Sequence, residues 1–536
     1  MTVRRSRAGA ALAASLTLGL ALSGCAQGER ELGVVLGDTP TSDVIAIPGD
    51  LEARVQRAID ALPGIIDDLL ERSGVPGLAV AVVHGDEVRY AEGFGVREIG
   101  TDAEVTADTV FQIASVSKPL SATAVAAVIG DGEIGWDTRI SELLPGFQFS
   151  DPVVTERATI ADAFSHRTGL ATGAGDDLED LGFDQATILE RLRLQPLDAF
   201  RASYHYSNFG LTVGAEAVAA SQGQEWADLV AERVFEPLGM TSTSARHDDF
   251  LARDNRALLH AQVGGEYVAA YDRNPDAEAP AGGVSSTVRD LGNWVRMLLA
   301  EGEFEGARVA DRDALVAAMS PQVVVGHPAS VRDRAGFYGY GFNTGTSITG
   351  RTVMSHSGGF LLGAATNVEL VPDLDLGIVT LTNAAPIGLP EAVNATFFDL
   401  VQYGAPNRDW FEAYGGLFVG MANPMGDLVD AQRPAEPAPA PDAAQLVGRY
   451  ASDYFGDLVI ERAGDALVAR MGPSGGVELA LEPWDGATFA FAPNSENAPE
   501  GSRSSAIFTL RPDGTAQSVR LTFFDAQGLA TFTRIE

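Results

Sequence analysis

The chain has little basic charge. Thirty-seven lysines and arginines stand against 73 aspartates and glutamates in 536 residues, a formal net charge of −36. A surface of that sign excludes binding to nucleic-acid phosphates, which needs a basic face. It also offers anionic lipid headgroups nothing to attract, and its plain consequence is solubility. Cysteine is nearly absent: Cys25 is the only one, so no intrachain disulfide can form. Lysine is rarer than the arginine content suggests, and Lys118 is the only one. Arginine stays protonated at any working pH, whereas a buried lysine can shed its proton and act as a base. The one position that keeps an amine is therefore the first to examine. No spacing matches a zinc site, a P-loop or a dinucleotide-binding turn, so neither a metal nor an organic cofactor is expected.

The first 25 residues carry Arg4, Arg5 and Arg7 and then an apolar run from Ala8 to Leu22, too short to span a bilayer comfortably. The run ends in Leu22-Ser-Gly-Cys25, which resembles the lipobox of bacterial lipoprotein signals. That resemblance implies a leader over 1–25, lipidation at Cys25 and export to the cell envelope on a lipid anchor, and residues 26–50, polar and irregular, read as a tether. No later segment is long and apolar enough for a membrane helix.

A chain of this length exceeds one hydrophobic core, so at least two domains are expected. Val55, Ile59, Leu62, Ile66, Leu69 and Leu70 recur at helical spacing, with Pro63-Gly64 expected to interrupt the helix. Gly77–Val83 and Val88–Tyr90 flank His84-Gly-Asp86 and read as a hairpin. Helical and loop sequence follows to about residue 300, and strand patterns return at Thr352–Ser355 and Ala364–Leu381. Strands at both ends with helices between them predict an α+β domain over 51–405: an antiparallel sheet, completed by distant segments, flanked by helices and carrying a helical subdomain. Residues 406–442 form a connecting segment that includes the alternating prolines of Arg433–Pro441, a semi-rigid spacer. Short alternating strands over 443–536 predict a small antiparallel β-barrel, with strands at Leu458–Ile460, Ala466–Arg470, Thr488–Phe491, Ala506–Leu510, Ser518–Phe523 and Ala530–Ile535.

Lys118 closes Ser115-Val-Ser-Lys118, where a helical pattern begins. Residues three apart share a helix face, so the Ser115 hydroxyl and the Lys118 amine can meet. A helix N-terminus also points backbone N–H groups at any oxyanion forming beside the serine. Ser-x-x-Lys alone is a weak signal. Tyr206-Ser-Asn208 adds a phenol and an amide, and His356-Ser-Gly358-Gly359 follows a strand-like segment. With these in order, residues 50–400 resemble the serine β-lactamase and penicillin-binding family, in the branch of class C β-lactamases, D-alanyl carboxypeptidases, D-aminopeptidases and related esterases. Val75–Val80, Ser165–Leu170, Phe235–Met240 and Ala281–Ser286 add family-like phrases. The last segment resembles the lipocalin-like barrel attached to some of these hydrolases.

The resemblance implies that Ser115 is the nucleophile of an acyl-enzyme and that Lys118 and Tyr206 handle its proton. Their pKa values are both expected to be depressed, the amine by burial and the phenol by its cationic neighbour. Asn208 would hold Lys118 and the substrate. The backbone N–H groups of Ser115 and Gly359 would form the oxyanion hole on an edge strand, with His356 and Gly358 beside the substrate. Many relatives place a lysine at the His356 position, where it meets a substrate carboxylate. A mostly neutral imidazole predicts a preference for uncharged substrates that narrows as the pH falls. His166 and His205 read as structural, and Gly472-Pro-Ser-Gly-Gly476 as a chance match to the nucleophile-elbow pattern. The expected activity is cleavage of small ester, amide or short peptide substrates. A D-amino-acid peptidase, a β-lactamase and an inactive envelope receptor for peptide or glycan are the alternatives.

Overall fold

The structure is a computed structural model that describes residues 50–536 except 327, 329, 348 and 465; before them it describes only the pairing of Ala14–Ser15 with Val35–Leu36. Cys25 and the leader and tether readings lie outside the described residues.

Helix α1, Leu51–Ser73, starts at Asp50, whose carboxylate accepts from the Ala53 N–H, and ends on Gly74 at φ 69°. It runs unbroken through Pro63, contrary to the interruption expected from sequence. An interior proline costs a helix about 3 kcal/mol. Here Ile59, Leu62 and Ile66 on either side are buried against the sheet, and that burial outweighs the lost bond.

The central sheet has eight antiparallel strands: β1 (Gly77–His84), β2 (Glu87–Gly95), β3 (Val323–Gly326), β4 (Gly336–Tyr338), β5 (Asn343–Thr346), β6 (Thr352–Phe360), β7 (Ala364–Val371) and β8 (Leu376–Thr382), ordered β3-β4-β5-β6-β7-β8-β1-β2. The run read as one strand from 364 to 381 is thus a hairpin, turned at Pro372–Leu374 with Asp375 at φ 49°. Sequence-distant β1 and β8 pair with Val80 opposite Thr380, so the first and last strands of the domain close the sheet between them. Side chains of β1 alternate between two cores. Leu78, Val80 and Val82 face α1 and a helix at Leu389–Tyr403. Ala79, Ala81 and Val83 face the other core, which holds a helix at Val288–Leu299 and helix α2, Ser117–Ile129.

Residues 448–534 form a closed barrel of eight antiparallel strands, its last strand, Thr531–Arg534, pairing with its first, Gly448–Ser452. The first strand and Val477–Asp485 were not read from the sequence. Pro483 argues against a strand in the second case, and a register shift between Pro483 and Asp485 absorbs it. The barrel is docked. Its Tyr454, Phe455 and Leu458 share one apolar cluster with Leu178, Leu181 and Phe209 of the helical subdomain. Tyr454 Oη also donates to Asp177 at 2.8 Å. The proline-rich segment lies along the barrel, with the Ala438 N–H donating to Asp485 at 2.7 Å.

Candidate active site

Ser115 sits in a single 3-10 turn, Ala114–Val116, that feeds into α2. Ala114 just before it is at φ 46°, a left-handed conformation that strains an L-residue. Two bonds hold that strain. Ser117 Oγ donates to the Ala114 carbonyl at 2.7 Å and accepts from the Val284 N–H at 3.0 Å.

One turn on, Lys118 is fully buried. Its Nζ lies 3.0 Å from Ser115 Oγ, 2.7 Å from Asn208 Oδ1 and 2.9 Å from the Ala281 carbonyl. Burial pulls its pKa down to about 8, against the opposing pull of Glu278, Asp176 and Glu179. The amine also stands 4.6 Å from the centre of the Tyr206 ring. Tyr206 Oη is buried with no hydrogen-bond partner among the described residues. Its pKa is raised well above the usual value: burial is the largest cause, the acidic groups of Tyr204, Glu278 and Asp176 add to it, and the neighbouring Ser115 hydroxyl pulls the other way. The expected depression of the phenol is thus reversed, and Tyr206 stands as a neutral donor.

The Tyr206-Ser-Asn208 motif straddles a loop and a helix. Ser207 caps the helix Asn208–Gln222, its Oγ accepting from the Gly210 N–H. Asn208 aims its oxygen at Lys118 and its amide at the Asp176 carboxylate, 3.4 Å away. His166 has more to do than sequence indicated. At φ 56°, it accepts from the Ser207 N–H at 3.2 Å and lies 4.5 Å, centre to centre, from the Tyr206 ring. His205 pairs with Asp198 on the surface at 2.9 Å. Asp176, Glu278 and the Ala281 carbonyl are the participants sequence reasoning missed; only Ala281 lay in a phrase that drew notice.

Strand β6 carries His356–Gly359. It is internal to the sheet rather than at its edge, but β5 pairs only with Thr352–Ser355, so the rest of that side is left to the serine turn. Gly358 is required there: a Cβ would sit 2.3 Å from the Ile113 carbonyl and 2.9 Å from Ser115 N. Gly359 packs against Pro386, whose Cγ would be 2.7 Å from a Cβ. His356 is enclosed. Its Nδ1–H donates to the Ser357 carbonyl at 2.7 Å, so Nε2 accepts from Tyr338 Oη at 3.0 Å. Burial and the nearby Lys118 amine hold its pKa down to about 3. It is neutral through the whole physiological range, so the expected pH-dependent change in selectivity has no titrating group behind it.

A cavity of ≈ 1330 Å³ opens between the two domains, lined among others by Arg273, Leu362, Pro386, Phe411, Phe418 and the barrel's Glu496. Ser115, Lys118 and Tyr206 are not in its wall, which includes Leu361-Leu362, following β6, and Pro386, packed on Gly359. Among the described residues, no group of three or more His, Cys, Asp or Glu is placed to hold a metal ion.

With this geometry in view, residues 62–401 match the family model described as Beta-lactamase. The chain belongs to the β-lactamase family. Residues 432–533, the barrel, match a domain of unknown function, DUF3471. Penicillin-binding protein 4 of Amycolatopsis lactamdurans is 31% identical over 72% of this chain and 95% of its own length. Unguisins hydrolase ungD' of Aspergillus campestris is 26% identical over 73% and 74%. An octameric penicillin-binding protein homologue from Pyrococcus abyssi superimposes with a TM-score of 0.56 at 17% identity, covering 89% of this chain and all of that one. This β-lactamase-family protein is a serine hydrolase with a closed eight-stranded barrel after its catalytic domain.

Proposed function

We propose that this protein cleaves ester or amide bonds through an acyl-serine at Ser115, on the outer side of a membrane to which Cys25 tethers it. The observation that carries the chemistry is the buried Lys118 amine, 3.0 Å from Ser115 Oγ with its pKa drawn down toward neutrality. A neutral fraction of the amine takes the Ser115 proton as Oγ attacks the carbonyl carbon. The developing oxyanion is met by the N–H groups of Ser115 and Gly359; a Cβ at neighbouring Gly358 would come within 2.9 Å of Ser115 N, so this strand lies close against the serine turn. Tyr206 Oη, beside the serine, passes its proton to the leaving group and takes back the one held by the Lys118 ammonium, so that both groups return to their starting states. Water then releases the acyl group by the same route in reverse. With His356 neutral and enclosed, the position offers no cation to a substrate carboxylate, which favours uncharged esters and amides over penicillins. The Leu22-Ser-Gly-Cys25 sequence supports the tether.

A fluorophosphonate probe followed by peptide mapping tests the reading. A single adduct on Ser115 is expected, together with turnover of p-nitrophenyl esters or D-amino acid anilides in preference to nitrocefin. An adduct on another residue overturns it.

A further inference from the structure

Arg273 uses all five of its guanidinium donors. Nε donates to Glu496 of the barrel at 2.6 Å, and Nη1 and Nη2 each donate to one oxygen of Glu179 at 3.0 Å. Nη2 also donates to Glu278 at 3.0 Å, and Nη1 to the Asn274 carbonyl at 2.9 Å. The side chains are scarcely exposed: 12% for Arg273, 8% for Glu179, 3% for Glu278 and 9% for Glu496. The guanidinium carbon lies 4.7 Å from the centre of the Phe360 ring. On the main-chain side, the Arg273 carbonyl accepts from Gln112 Nε2 at 2.8 Å.

Each of these contacts leads to a reacting group. Glu278 precedes the helical turn Ala279–Gly282, whose Ala281 carbonyl holds Lys118 Nζ. Glu179 is in the short helix Asp176–Asp180, whose first residue faces the Asn208 amide. Phe360 ends the strand that carries Gly358 and Gly359. Gln112 lies three residues before Ser115. One guanidinium therefore ties together the four segments that surround the serine–lysine pair, and its Nε is held from the barrel.

We propose that Arg273 is a positioning residue of the active site and that Glu496 fixes it, so that the barrel takes part in acylation without touching substrate. The proposal rests on the acyl-serine reading above. Docking alone does not account for the arrangement. Tyr454 to Asp177, Arg191 to the Tyr454 carbonyl, and Ser495 and Asn497 to Asp180 already fasten the barrel. A buried guanidinium with three carboxylates costs desolvation on every member, and losing one partner leaves the others out of balance. The planar fork is also the feature a lysine cannot reproduce.

The test is the acylation of Ser115 by a fluorophosphonate in the full chain, with the maximal rate and the half-saturating concentration measured separately from pH 6 to 10. For Glu496→Ala the expected result is a maximal rate at least about tenfold lower with half-saturation within about threefold of the wild type, the mark of misplacement rather than lost binding. Glu496→Gln keeps an acceptor for Nε and should recover most of the rate. Arg273→Lys keeps the charge without the fork and should resemble Glu496→Ala. The pH midpoint should also move in Glu496→Ala and Arg273→Lys, because the groups facing Lys118 (Asp176, Glu179, Glu278, Tyr206, His166 and His356) shift with the segments that carry them. A contact that served only to dock the barrel would lower the melting temperature and leave midpoint and rate in place. Wild-type rates and midpoint in a folded Glu496→Ala overturn the proposal. If that variant fails to fold, the same result in Arg273→Lys does so. Absence of label on wild-type Ser115 would instead remove the acyl-serine reading beneath it.

Discussion

Lys118 concentrates the chemistry in one titrating group. With its pKa pulled down to about 8, kcat/KM should rise with pH through a midpoint in that region as the free amine accumulates. A profile already flat at pH 6.5 would mean the amine is not the base. Ser115→Ala should abolish turnover with little change in the melting temperature. Lys118→Arg keeps a cation but supplies no free amine, so kcat should fall by at least about a hundredfold. His356 makes a complementary prediction: because its imidazole stays neutral down to about pH 3, the ratio of kcat/KM for matched uncharged and carboxylate-bearing substrates should be constant from pH 6 to 8. A ratio that converges as the pH falls would show that the ring does protonate in that range.

The serine turn depends on its small supporting bonds. Ser117→Ala removes the hydroxyl that holds the strained Ala114 carbonyl and leaves the Val284 N–H without its acceptor. The expected loss is about 1–3 kcal/mol by urea unfolding, the range for stranding a buried polar group, with a lower acylation rate in the remaining folded enzyme. Loss of stability with an unchanged rate would separate the turn's strain from its function. The three motifs were legible in sequence because each is a spacing of only three or four residues, close enough for local geometry to bring together. The supporting groups were not. Asp176, Glu179, Glu278 and Arg273 are ordinary members of a chain with 73 acidic residues, and only the fold sets them around Lys118. The reading of α1 went astray at Pro63, a local rule overridden by packing, and the strand Val477–Asp485 went unread although a bulge lets it accommodate Pro483.

Across the whole molecule, buried carboxylates set the pH range of stability. Burial raises Asp176 to about 8, Asp177 to about 7 and Asp180 to about 6. Each then binds its proton more tightly folded than unfolded, so its contribution is complete below the unfolded pKa and is lost as the pH rises through the folded one. Lys118 has the opposite sign but is a single group. The melting temperature should therefore fall between pH 6 and 9 at fixed ionic strength, over the range in which the acylation rate rises. A flat or rising melting temperature there would count against this distribution of protons. Added salt should recover part of the loss by screening a net charge of −36.

The solitary buried lysine also makes this molecule a spectroscopic instrument. Nitrogen-15 lysine introduced during expression puts one labelled side chain in the chain, with no other lysine signal to assign or subtract. Its Nζ resonance would report the protonation of the amine directly, in the resting enzyme and after Ser115 is acylated. The same scarcity leaves amine-directed reagents no side chain to modify in the folded protein, since its one ε-amino group is fully enclosed. Surface coupling chemistry that modifies most proteins at many lysines would find none here until the chain unfolds, so the onset of labelling becomes a clock for opening of the active site.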